Sequence, residues 1–146
     1  MKNFLSYIAE VMDRPLPWRA EKGGLGREGQ NIFVFNPSQD EQVKVYVEFY
    51  GSIDLSFVTN ESMRITNRGN AARILATVLD ILREFMKECE PDEITFIAPT
   101  DSPARARVYE RMTRKHLQGT DHELTSVRQR NNEEIEFIIS RKDDVF

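Results

Sequence analysis

The residues best suited to chemistry cluster around one turn. Thr66-Asn67-Arg68-Gly69-Asn70-Ala71 opens a long apolar-periodic stretch, and Arg64, Arg68 and Arg73 surround it. A helix beginning there presents unpaired backbone N–H groups and the positive end of its dipole, and Gly69 lets a ligand come close. A phosphate-bearing ligand suits such a site. A second basic run follows at Arg105, Arg107, Arg111, Arg114 and Lys115, so that eight of the chain's twenty basic residues lie in two short segments. If the segments meet in space they form a local anion site. The bland alternatives are a plain turn that uses Gly69 for its backbone freedom, and a solvated helix face for the second run.

Other reactive side chains are scattered. Glu48, Asp54 and Glu61 lie on or between strand-like segments and are candidate bases. His116, Asp121, His122 and Cys89 have no recognised metal spacing, and no metal site is expected. Neither a P-loop nor a serine-centred elbow is present.

The elements that must position these residues can be read from periodicity. From Thr66 to Glu90 the apolar residues Ile74, Leu75, Val78, Leu79, Leu82, Phe85 and Met86 recur at three- and four-residue steps, which predicts a central, largely buried helix. Before it the period is two. Ile32 to Phe35, then Val43, Val45, Val47 and Phe49, then Ile53, Leu55 and Phe57 read as an antiparallel meander, and a turn at Asn60-Glu61 would lead into a strand with Met63 and Ile65. After the helix, Glu93 to Ala98 is a short buried strand, expected to lie parallel to the one carrying Met63 and Ile65. A helix from Ser102 to Leu117, with Pro103 at its first position, and two strands around 123–130 and 134–141 complete the chain. Met1 to Met12 reads as an amphipathic helix with Phe4, Leu5, Ile8, Val11 and Met12 on one side, and 13–30, rich in Gly and Pro, as a linker in which Trp18 is an anchor.

Bulk properties set the frame. The 146 residues suffice for one domain with a sizeable core, expected over 31–146. A net charge of −4, with aromatics not interleaved among the basic residues, argues against a general nucleic-acid binder. No apolar run is long enough to cross a bilayer, and a lone cysteine makes no internal disulfide, so the reading is a cytoplasmic protein. Cys89 itself reads as packing.

This order of elements, over about 31–141, resembles the GCN5-related N-acetyltransferase (GNAT) fold. The resemblance implies an α/β (α+β) protein with a mixed central sheet of about seven strands, a long central helix and a second helix, joined here by the short N-terminal helix. In that family the turn Gln/Arg-x-x-Gly-x-Gly/Ala holds the pyrophosphate of acetyl-CoA on its amides. Thr66 to Ala71 keeps the Gly and the Ala, with Thr66 in the first position. The resemblance therefore implies acetyl-CoA binding by Arg64, Arg68, Gly69, Asn70, Ala71, Arg73 and Arg105. In the second helix Ser102, Arg105, Val108 and Tyr109 stand at the family's Asn-x-x-Ala-x-x-Leu-Tyr positions, which casts Tyr109 as the acid that protonates the leaving thiolate; it would serve equally as a core tyrosine. The implied reaction is acyl transfer to an amine, its acceptor unidentified.

The first ten residues, MKNFLSYIAE, are similar to the capsid-targeting peptides of internal head proteins in tailed phages, which end at a Leu/Ile-x-Glu cleavage site, here Ile8-Ala9-Glu10. That resemblance implies a phage-encoded chain, acting in the host cytoplasm or packaged in the virion, and a second function class: an inactive GNAT-like accessory protein that binds a host protein. A helix simply packed on the sheet is the competing reading of these ten residues.

Overall fold

The computed structural model of the chain describes residues 14–59, 68–100, 103–131 and 133–142, with backbone alone at 68–70. Met1 to Met12, the predicted strand with Met63 and Ile65, and the candidate residues Arg64 and Glu61 lie outside the described residues. What is described is a mixed α+β fold of seven strands and two helices: β1 (Arg19–Lys22), β2 (Gly29–Ser38), β3 (Glu41–Tyr50), β4 (Ser52–Thr59), α1 (Arg68–Glu88), β5 (Glu93–Pro99), α2 (Pro103–Leu117), β6 (His122–Gln129) and β7 (Glu134–Arg141). They form one sheet in the order β1-β2-β3-β4-β5-β7-β6. Only β4 and β5 pair in parallel.

Alternation builds the sheet. Val43, Val45 and Val47 of β3 are fully buried while Lys44 is half-buried and Tyr46 and Glu48 are exposed, so one face of the strand is core and the other meets solvent. The register then aligns bulky residues across strands: Val45 stands between Phe33 and Phe57, and Leu55, Phe96 and Phe137 stand side by side. Phe57, Phe96 and Phe137 pack edge to face at 6.1 and 5.8 Å, a geometry that adds to simple area burial.

Both helices cover this same face. The crossovers β4–α1–β5 and β5–α2–β6 join parallel strands and progress the same way across the sheet, so right-handed connections put them on one side. There they touch, Leu79, Leu82 and Met86 of α1 lining a small cavity with His116 and Leu117 of α2. On α1 the predicted apolar residues are buried, with Met86 half-buried, and Phe85 meets Phe33 and Phe49 edge to face. The helix ends against the β1–β2 loop: Gly26, at φ +72°, lies so close that a Cβ there would stand 2.5 Å from the Glu88 Cβ.

The structure corrects two expectations. The strand parallel to β5 is Ser52–Thr59, with Ile53 opposite Ile94, and β7 pairs on β5's other side, while the Met63–Ile65 segment lies outside the described residues. The stretch 13–30 is also more than a linker. Its Arg19–Lys22 adds an edge strand to β2, and β2 itself starts at Gly29. Trp18 docks on the body, its indole N–H donating to Asp80 at 2.9 Å and its ring meeting Phe33 edge to face.

Asn31 holds this added region. Buried at the start of β2, its Oδ1 accepts from Gly24 N–H at 3.0 Å and its Nδ2 donates to Arg27 O at 2.9 Å. Asn31→Ala leaves those backbone groups without their partner and is expected to cost about 2–3 kcal/mol in denaturant unfolding, with the β1–β2 loop amides losing hydrogen-exchange protection.

Candidate functional site

The most distinctive local geometry lies between β4 and β5. β4 stays paired with β3 out to Thr59, opposite Val43, and β5 stays paired with β7 out to Pro99, opposite Glu134. The ladder between β4 and β5 stops earlier, at Ser56 opposite Ile97. Phe57–Thr59 and Ala98–Pro99 therefore part from each other, and the backbone groups they turn inward have no ladder partner among the described residues. A crevice at the carboxyl ends of parallel strands is where open α/β sheets take ligands.

Both helices start at this end of the sheet, because each follows the carboxyl end of one of the two strands. Neither has an acidic residue in its first turn. Carboxylates there would stabilise the helix through its dipole; this chain places Arg68 and Arg73 at the start of α1 and Arg105 and Arg107 at the start of α2. Two positive helix ends with cationic side chains, beside a gap in a sheet, form an arrangement that an anion would relieve.

The described candidates fall as follows. Arg68, Gly69 and Asn70 form the first residues of α1, followed by Ala71, which is 5% exposed. Arg73 is half-buried on the next turn, where its carbonyl accepts from Thr77 Oγ1 at 2.8 Å. Arg105 is half-buried in the first turn of α2, and Tyr109, one turn on, is 1% exposed. Arg68 and Arg73 thus lie in the first two turns of α1 and Arg105 and Arg107 in the first turns of α2, whereas Arg114 and Lys115 lie in the last turn of α2. The carboxylates do not come along. Glu48 and Asp54 face each other across β3 and β4, exposed, in the closed part of the sheet. Glu134, which no sequence pattern singled out, stands opposite Pro99, half-buried and accepting from Asn131 Nδ2 at 2.9 Å.

The remaining reactive groups are dispersed. His122 is buried with Nε2 2.6 Å from the Pro91 carbonyl, His116 Nδ1 lies 3.1 Å from the Met112 carbonyl, and Cys89 Sγ donates to the Phe85 carbonyl. Among the described residues no three His, Cys, Asp or Glu side chains come together as a metal group, and no helix is long and apolar enough to cross a membrane.

Burial pushes the Cys89 thiol above its ordinary pKa. The folded chain thus holds this proton to higher pH than the unfolded chain does, and the resulting contribution to stability is present below the ordinary thiol pKa and lost as pH rises through the folded value. Alkylation of Cys89 by iodoacetamide at pH 8 is expected to run several-fold slower in the folded protein than in urea, and equal rates would show an exposed thiol.

Compared with known proteins, residues 28–146 match a family described as a family of unknown function, DUF6934. No curated protein and no solved structure matches the chain.

Proposed function

The chain belongs to DUF6934, a family of unknown function, and we propose that it is a GNAT-like N-acetyltransferase that takes an acyl-CoA in the crevice between β4 and β5. The observation that carries this reading is the early end of the β4–β5 ladder at Ser56–Ile97, with the starts of both helices beyond it. The strand order, with its single parallel pair in mid-sheet, supports the same reading.

An acyl-CoA supplies an activated thioester, whose acyl carbon is attacked by an amine while the C–S bond breaks. The chain's part is positional and electrostatic. Amides at Gly69, Asn70 and Ala71 would hold the pyrophosphate, with Arg64, Arg68, Arg73 and Arg105 as counter-charges. Backbone N–H groups of Phe57–Thr59, free of the β5 ladder, would donate to the carbonyl oxygen as it gains charge. Tyr109 would give its hydroxyl proton to the departing sulfur, and the amine's proton would pass to solvent or to a carboxylate near the crevice.

A second reading is favoured by Tyr109 and the carboxylates: the tyrosine is 1% exposed, and Glu48 and Asp54 lie away from the crevice. In it, the same scaffold is a phage-encoded accessory protein that binds a host protein without catalysis.

Calorimetric titration with acetyl-CoA, and with CoA for comparison, separates them. The acetyltransferase reading predicts saturable binding that is lost in Gly69→Trp while the circular dichroism spectrum is kept. Tyr109→Phe should leave the Kd unchanged and lower turnover about a hundredfold. Absence of binding at millimolar acetyl-CoA would leave the turn structural and favour the accessory reading.

A further inference from the structure

We propose that the outer face of α2, with Arg83 of α1 beside it, binds the phosphate backbone of double-stranded nucleic acid without reading its sequence. Charge is unevenly spread over the helix. Its 15 residues hold Arg105, Arg107, Arg111, Arg114 and Lys115 against one carboxylate, Glu110, on a chain whose net charge is −4. Arg107, Arg111 and Lys115 are exposed and follow at four-residue steps, so they form a row about 12 Å long on one side of the helix. Each step turns the row about 40° round the helix axis. It ends at Lys115, which lines a groove of about 280 Å³ between the helices together with Pro15, Asp80, His116 and the exposed Arg83. The Asp80 carboxylate in that groove accepts from the Trp18 indole N–H.

Helix stability does not account for the whole row. Cations in the last turn complement the dipole, which suits Arg114, Lys115 and His116. Arg107 lies in the half nearer the positive end and Arg111 at mid-helix, and like charges four residues apart destabilise a helix. Glu110 pairs with Arg114 at 3.5 Å, and no carboxylate stands three or four residues from Arg111 on either side. Among the described residues Arg83, Arg107 and Arg111 make no ion pair. The folded protein thus carries a repulsion that an external polyanion would relieve.

The character of this face selects the partner. A protein partner needs an apolar centre inside a polar rim, and the exposed large apolar side chains among the described residues, Tyr46 and Tyr50, are on β3. An anionic membrane would likewise need apolar side chains to insert beside the cations. With no exposed aromatic on α2 there is nothing for unpaired bases to stack on. The row offers cations for phosphates, which hold a duplex in place and carry no sequence information. The net charge opposes binding by the chain at large and leaves this face locally positive.

The inference is independent of acyl-CoA binding, because Arg83, Arg107, Arg111 and Lys115 take no part in the crevice. Its test is the fluorescence anisotropy of two labelled DNA duplexes of unrelated sequence, titrated with the full chain between about 50 and 200 mM salt. Both duplexes should bind with the same Kd, about 10–100 µM near physiological salt, and with a log–log salt slope of about −3 to −4 for four cations. Arg107→Ala and Arg111→Ala should each reduce that slope by about 1. Arg111→Glu should weaken binding at least about tenfold. It should not lower the thermal unfolding midpoint, because the new carboxylate stands four residues from both Arg107 and Lys115. Arg128→Glu, on the opposite face of the sheet, should leave duplex binding unchanged. Absence of saturable binding at the lowest salt, equal affinity with and without Arg111→Glu, or a clear preference for one duplex would overturn the proposal. So would loss of binding to vesicles of anionic phospholipid in Arg111→Glu with no duplex binding by either chain, because the face would then belong to a lipid surface.

Discussion

Two parallel strands cannot be joined by a tight turn, and that constraint organises this molecule. Pairing β4 with β5 requires a crossover, and the crossover is α1, whose apolar arc must then be buried against the sheet it bridges. Ile74, Val78, Leu82 and Phe85 do this against the phenylalanines and valines of one sheet face. Burial of that arc stabilises the fold by about 25 cal/mol for each Å² of apolar surface removed from water. Strip the arc and the parallel pair has nothing to hold its connection in place.

The same constraint produces the crevice. β4 is bound on its far side by β3 and β5 on its far side by β7, and both antiparallel ladders continue after the ladder between them has ended. Sheets twist, and the two strands are each carried off by their outer partners. The gap is therefore a property of the whole sheet. Two helices that begin at that end with arginines and no carboxylates add an electrostatic preference to the shape.

Much of this was legible in the sequence where a pattern is long. The valines of β3 alternate cleanly, and the three- and four-residue steps of α1 run from Ile74 to Met86. Edges and partners were harder to read. Arg-Ala-Glu-Lys of β1 is exposed at all four positions and has no apolar alternation to betray a strand. The partner of β5 was misread because Met63 and Ile65 continue the alternation past Asn60-Glu61, and only the register, Ile53 opposite Ile94, decides between adjacent candidates. Trp18 with Asp80, and Leu16 with Thr77, join residues more than sixty positions apart, and nothing local announces them. The residue types predict a turn at Asn67-Arg68-Gly69-Asn70, whereas Arg68 to Asn70 already belong to α1. The crevice beside it was not legible, since it depends on where a ladder stops.

The central claim is that the parting of β4 from β5 is a binding site for a phosphate-bearing thioester. Amide chemical-shift mapping during titration with acetyl-CoA tests it most directly. The account predicts saturating shifts confined to Phe57–Thr59, Arg68–Ala71 and Ala98–Thr100, with the paired stretches Ile53–Ser56 and Ile94–Ile97 unmoved. Shifts that concentrate elsewhere, or a spectrum unchanged at millimolar ligand, would contradict it.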